Sequence, residues 1–344
     1  MNNIANLVNA MQIKQNDIVL VQLWGEDEHT PILNDFCIEI ATVGASSIKL
    51  QHSRLFYKAM FEKVDVQTEP FSEKYFEIFE PVTYVIDLMA YRPAEPHADF
   101  PKDKMDMYMK YMGGLFQALS QKQTFVQLRL PTADMANQFG IEHKRFVKML
   151  DLAYSADYDD LRHECDLALS KLEKVKNIEI VTANDYSLKL SFDDRVWFKD
   201  DGNGDFPSGE VYIAPIETSA QGQIFIENLH FEGLVCSDIV LDFAGGKLIS
   251  SNNANFNAIL SKLPENANVL CEFGIGLNKQ ITELTGCNAF DEKAFGTCHI
   301  GIGNNTMFGG QNNAHYHTDL VFTGDIYADG SKIIENGKLF TPNV

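Results

Sequence analysis

The chain has 344 residues, which at roughly 150 residues per domain points to about two domains and to a core large enough to need no disulfide staples. Hydrophobic residues make up 45%, charged 22% and aromatic 11%, a balance that excludes wholesale disorder. Lys and Arg number 28 against 48 Asp and Glu, so a net charge of −20 repels phosphate backbones and anionic lipid surfaces and excludes nucleic acid as a partner.

The first 17 residues contain no basic stretch followed by a sustained apolar run, and nowhere does the chain approach the roughly 18 apolar residues of a membrane span. The six cysteines are scattered, with no pair at metal-ribbon or redox spacing. The expectation is a reduced, cytoplasmic protein that neither enters nor crosses a membrane. Residues 18–23 form a short apolar run suited to a buried parallel strand, followed by a helix over 32–43 closed by Gly44 and a strand over 47–51. The rhythm repeats with a strand at 82–89, a helix over about 102–120 and a strand at 125–130. Strands alternating with helices predict an α/β layer with a mainly parallel sheet. After the first strand, Leu23-Trp24-Gly25-Glu26-Asp27 lacks both the glycine spacing and the basic residue of a phosphate loop, so this half reads as a scaffold.

From 132 to 175 the pattern is helical, interrupted at Phe139-Gly140-Ile141, with an amphipathic helix over 159–174. Beyond about Lys176 come short alternating strands at 178–181, 188–192, 211–213, 223–226 and 238–243, the last closed by Gly245-Gly246, and one helix near 254–263. The predicted organisation is an α/β scaffold domain over 1–176 and a β-rich α+β metal-binding domain over 177–344.

The second half holds the metal-ligand chemistry. Three of the nine histidines, His299, His315 and His317, lie between residues 299 and 317, and Asp319 follows. On an extended strand His315, His317 and Asp319 share one face because side chains alternate. Glu210 and Glu272 each sit in an apolar, strand-like run beside a glycine, where a carboxylate must be paired or liganded.

These residues carry a family resemblance. Pro207-Ser208-Gly209-Glu210-Val211-Tyr212-Ile213-Ala214-Pro215 resembles the Pro-x-Gly-Glu-Val-x-x-Ala-Pro signature of the thermophilic metalloaminopeptidase family. Glu272-Phe273 is similar to that family's second metal glutamate, Asp291-Glu292-Lys293 leading to Cys298-His299-Ile300-Gly301-Ile302-Gly303 to its histidine segment, and His317-Thr318-Asp319 to its closing His-x-Asp. Weaker agreement extends over 185–197 and the N-terminal half. Two departures stand out: Thr306 occupies the position of the family's tyrosine, leaving Tyr316 as the nearest replacement, and the stretch between His299 and His317 is short. Within it, Gly303-Asn304-Asn305, with Phe308-Gly309-Gly310 after it, resembles the family's divergent relatives, among them the mononuclear-iron enzyme 2,5-dihydroxypyridine 5,6-dioxygenase.

The resemblance implies a dinuclear metallo-exopeptidase, an aminopeptidase that removes N-terminal residues from short peptides. Two divalent ions, zinc, cobalt or manganese, would be held by Glu210, Glu272, His299, His317 and Asp319, with Glu210 as the shared carboxylate and Glu217 passing the proton to the leaving amine. His315 falls outside the resemblance and reads as a surface residue or a support to the ligands. The alternatives are an Fe(II) ring-cleaving dioxygenase using His299, His317 and Asp319, and a non-catalytic peptide-binding relative. The Met- and Tyr-rich segment 105–112 is apolar on several faces, which suits either core packing or the contact surface of a homodimer.

Overall fold

The computed structural model describes residues 3–335 apart from 69, 121, 123, 184 and 185, together with the backbone of 338 and 339; Asp185, the first residue of the 185–197 stretch, lies outside these. The chain divides into two compact units, Met1–Ser155 with Gly202–Phe206, and Ala156–Asp201 with Pro207–Val344. The boundary drawn by contacts and the one expected near Lys176 differ by one helix. Tyr158–Leu172, capped by the Asp157 carboxylate on the amides of Asp159 and Asp160, belongs to the second unit.

The first unit is the expected α/β layer. Its five-stranded sheet runs in the order Ser46–Gln51, Ile18–Trp24, Tyr84–Met89, Thr124–Arg129 and Asp205–Phe206, with every neighbouring pair parallel. The two central strands are buried almost throughout, as strands covered on both faces must be. The helix Thr30–Thr42 carries Pro31 in its first turn and gives way to Gly44 at φ +82°, the left-handed exit that glycine allows. Gly140, at φ +66°, separates the helices Ala133–Gln138 and His143–Ala153 where the interruption was expected. Along Met105–Leu119, Tyr108, Tyr111, Met112, Leu115 and Leu119 are buried, whereas Met109 and Phe116 are exposed.

The second unit is antiparallel β-sheet with helices at its margins, as expected for the β-rich half. An eight-stranded sheet is built around the long hairpin of Gln221–Phe231 and Leu234–Ala244. A five-stranded sheet carries the candidate site, in the order His317–Phe322, Cys298–Gly303, Leu270–Gly276, Glu210–Ile213 and Phe198–Asp200. Alternation gives this sheet two unlike faces. Val211, Ile213, Phe273, Ile275, Ile300 and Leu320 are buried on one face, and the candidate ligands occupy the other. Among the described residues no helix is long and apolar enough to cross a membrane.

One polar group sits inside the parallel sheet. Asp87 is buried, accepts a 2.6 Å hydrogen bond from Gln22, and the same Gln22 side chain meets His52 at 2.9 Å. Burial pushes the Asp87 carboxyl up to about 7 from its ordinary 3.8. The unfolded chain releases this proton near 3.8 and the folded chain near 7, so stability falls as pH rises through that window. Asp87→Asn keeps the acceptor for Gln22 and removes the charge. It is expected to raise the melting temperature at pH 8, by an amount worth a few kcal/mol at most, with the gain vanishing toward pH 4. A gain independent of pH, or none at pH 8, would refute the charged-state penalty.

Candidate metal centre

The Pro207-Ser208-Gly209 turn delivers Glu210 to the sheet. Gly209 adopts φ +128°, and a Cβ there would press against Asn278 at 2.8 Å, so the position demands glycine. The turn is tied at both ends: the Gly209 amide donates to the Asp200 carbonyl at 2.9 Å, the Leu277 amide to the Gly209 carbonyl at 2.8 Å, and the Asn278 side chain to the Ser208 carbonyl at 2.8 Å. Behind the strand, Cys165 of the helix Tyr158–Leu172 meets the Glu210 carbonyl at 3.8 Å. The signature run is thus a rigid mount for one carboxylate.

The structure brings the five candidate ligands onto one sheet face. Glu272 stands at their centre: its Oε1 lies 3.6 Å from His299 Nε2 and its Oε2 lies 3.3 Å from His317 Nε2. His299 Nε2 also approaches Glu210 Oε2 at 3.5 Å, and His317 Nε2 approaches Asp319 Oδ1 at 3.4 Å. His317 Nδ1 donates to the Asn304 carbonyl at 2.9 Å, which turns Nε2 toward the carboxylates, the usual support of a metal-binding imidazole. The ligand atoms of Glu272, His317 and Asp319 lie within 4.8 Å of one another.

Room for these side chains comes from glycine. In register, Glu210 lies opposite Gly276, His299 opposite Gly274, Glu272 and Asp319 opposite Gly301, and His317 opposite Gly303. A Cβ at Gly274 would overlap the His299 ring, and one at Gly301 would meet Glu272 Cβ at 2.8 Å and Asp319 Oδ1 at 3.0 Å. Every candidate ligand therefore faces a residue without a side chain.

The charges around the cluster do not balance on protein groups alone. Lys293, buried, pairs with Glu210, lies 3.2 Å from Glu292 and 3.8 Å from Asp200. Burial raises the Glu210 carboxyl despite Lys293 and His299, and raises Glu292 further, with Asp319 and Glu210 adding to the effect. Burial works the same way on Glu272 and Asp319, but the histidines outweigh it and hold both below the usual carboxylate range. Burial alone would lower the histidines, yet hydrogen bonding to Glu272 and the charges of Glu210 and Asp319 lift His299 to about 9, and Asp319 lifts His317 strongly. Even so, Glu210 Oε2, Asp319 Oδ1 and His299 Nδ1 are buried without a hydrogen-bond partner. Buried carboxylate oxygens aimed at imidazole nitrogens and left unsatisfied fit a divalent cation.

Three neighbours carry no role in the sequence reading. Glu292 and Lys293 belong to a segment whose resemblance is visible in sequence, and Glu292 hydrogen-bonds Asp319. Asp200 sits opposite Glu210 in the sheet, a placement that only the register reveals. Glu217, in contrast, is not brought to the cluster. Its carboxylate is bound by Arg195 at 2.8 and 3.0 Å, by Asn305 at 3.1 Å and by the Gln311 amide at 2.6 Å, and these donors outweigh partial burial to keep its pKa low. His315 is exposed and precedes the strand. Thr306 is exposed and bonded to Asn304, and Tyr316 donates to Glu232 at 2.7 Å, so neither supplies a phenol to the cluster.

Gly274→Ala tests the glycine requirement. The added methyl must displace the His299 ring, so the variant is expected to fold with a modest loss of melting temperature and to lose tenfold or more in metal affinity. Metal titration giving wild-type affinity would show that the space is not needed.

The sequence matches the family model of the thermophilic metalloproteases (M29) over residues 1–333, while no curated protein sequence matches it. The fold is similar to that of wild-type AmpT from Thermus thermophilus, with a TM-score of 0.71 and 14% identity over 98% of this chain and 99% of that one. It is also similar to 2,5-dihydroxypyridine dioxygenase from Pseudomonas putida KT2440, with a TM-score of 0.66 and 12% identity over 99% of this chain and 96% of that one. At such identities the likeness is one of fold. The family model spans nearly the whole chain, and the chain belongs to the M29 family of thermophilic metalloproteases.

Proposed function

We propose that the protein is a dinuclear metallo-aminopeptidase acting on short peptides. The observation that carries this reading is the placement of Glu272, whose two oxygens face two different histidines. One ion would be held by Glu210, His299 and Glu272, the other by Glu272, His317 and Asp319, which makes Glu272, rather than Glu210, the shared carboxylate. The mixed nitrogen and oxygen set suits zinc, cobalt or manganese. Ions bound there supply Lewis acidity and a water whose pKa is brought toward neutrality.

The protein's own groups support exopeptidase chemistry. Asp200, Glu210, Glu272, Glu292 and Asp319 gather on one face against Lys293, an environment that attracts the ammonium group of a peptide N-terminus. Proton transfer falls to Glu292 rather than Glu217. Burial keeps Glu292 inclined to hold a proton, and it touches Asp319, whereas Glu217 is fixed as a carboxylate by Arg195. The rival reading is a single ion on the compact Glu272, His317 and Asp319 group. That set has two carboxylates and one imidazole, unlike the two-His-one-carboxylate face of an Fe(II) oxygenase, which counts against the dioxygenase alternative.

Metal stoichiometry decides between these. Elemental analysis of the purified protein is expected to give two divalent ions per chain, both lost in Glu272→Gln, whereas Glu210→Gln retains one. One iron per chain with oxygen-dependent turnover would overturn the aminopeptidase reading.

The cytoplasmic location and the homodimer belong to the same proposal. The dimer rests on Met109 and Phe116, apolar side chains that lie exposed one heptad apart on the outer side of the helix Met105–Leu119. Light scattering is expected to give twice the chain mass at micromolar concentration, reduced to the chain mass in Met109→Lys/Phe116→Lys; a wild-type monomer would remove the dimer and leave the metal assignment intact.

A further inference from the structure

Beside the metal ligands lies a row of aromatic rings that the chemistry above does not use. Phe198 stacks on Tyr212 with centroids 5.7 Å apart, Phe308 meets the Tyr212 ring edge-on at 5.5 Å, and Phe308 in turn stands edge-on to the imidazole of His317 at 6.2 Å. All three rings are half-buried. The other aromatic residues of this sheet region behave differently: Phe273 is fully buried on the opposite face, packed against Phe192 and Trp197. Half-exposed rings in an unbroken row, ending on a metal ligand, mark an apolar surface that continues the site.

The row is set by the same register that sets the ligands. Phe198 lies opposite Tyr212, and Tyr212 opposite Gly274, so no side chain intervenes between the Tyr212 position and His299. Phe308 comes from a separate element, the short turn Thr306–Phe308, and that turn is held rigidly. Asn305 is fully buried, accepts from the Asn312 amide at 2.8 Å and donates to Glu217 and to the Cys271 carbonyl, while Arg195 donates to the Gly309 carbonyl. The ion pair of Arg195 with Glu217 thus fixes the turn that presents Phe308.

We infer that Phe198, Tyr212 and Phe308 form the subsite for the side chain of the substrate's first residue, and that it selects aromatic side chains over small ones. This rests on the aminopeptidase reading, since a peptide whose free amine lies among the ligands must project its first side chain beside them. Flat rings offering both a face and an edge suit an aromatic group better than a branched aliphatic one.

The test is calorimetric binding to the metal-loaded protein, with L-phenylalanine, L-leucine and L-alanine hydroxamates as probes. Phenylalanine hydroxamate is expected to bind about tenfold or more tightly than the alanine compound, with the leucine compound between them. Phe308→Ala is expected to reduce that ratio to about threefold or less, while alanine hydroxamate affinity and metal content stay within twofold of wild type. Phe198→Leu, which disturbs no loop, is expected to reduce it in the same direction. Equal affinities in the wild type, or a ratio unchanged in both variants, would overturn the subsite and leave the aminopeptidase reading standing. Failure of all three hydroxamates to bind a fully metal-loaded protein would overturn both.

Discussion

Like charge crowded onto a buried sheet face is the condition on which the second unit is organised. Glu210, Glu272, Glu292, Asp319 and Asp200 converge, and the compensating charge is Lys293 and two imidazoles. Carboxylates removed from water cost several kcal/mol each unless paired. The groups shift one another: the carboxylates raise both histidines above their ordinary pKa, the histidines hold Glu272 and Asp319 below the usual carboxylate range, and burial raises Glu210 and Glu292. Divalent cations, which the metalloprotease family implies, would perform the same compensation with more charge and stricter geometry.

That crowding is sterically possible because antiparallel register sets a glycine against each ligand. Glycine in strand interiors weakens a sheet, by roughly 0.5–1 kcal/mol each relative to alanine, and Gly274, Gly276, Gly301 and Gly303 all lie in the strands of this one sheet. The opposite face offsets that cost with tightly buried Val211, Phe273, Ile275, Ile300 and Leu320. Stability and function are thereby divided between the two faces of the same strands, and alternation is what permits it.

The same physics explains how much could be read in advance. The α/β and β-rich halves were legible because hydrophobic periodicity and turn residues are local properties, as with Ile18–Trp24 and the Gly140 break. The candidate ligands stand out in sequence as an ordered set because each sits in its own short motif. Cross-strand relations were not. Neither Asp200 opposite Glu210 nor Gly274 beneath His299 leaves a mark in linear sequence. His315 shares a face with His317 and Asp319 only on a strand that includes it, and the strand begins two residues later, at His317. Glu217 is conspicuous near the signature, but its role is fixed by Arg195 and Asn305, 22 residues before it and 88 after it.

Glu217 also shows how the segment after His299 is divided between two tasks. Where the resemblance implies a tyrosine at the metals, the chain has exposed Thr306, and the turn it opens instead carries Phe308 against His317. The turn is held from behind by the buried Asn305 and the Arg195 and Glu217 pair, and from the front Asn304 orients His317 through its carbonyl. A single short loop therefore both aims a ligand and shapes the surface next to it. The sheet thus positions the candidate ligands, while residues 304–316 both orient His317 through the Asn304 carbonyl and place Phe308 beside it.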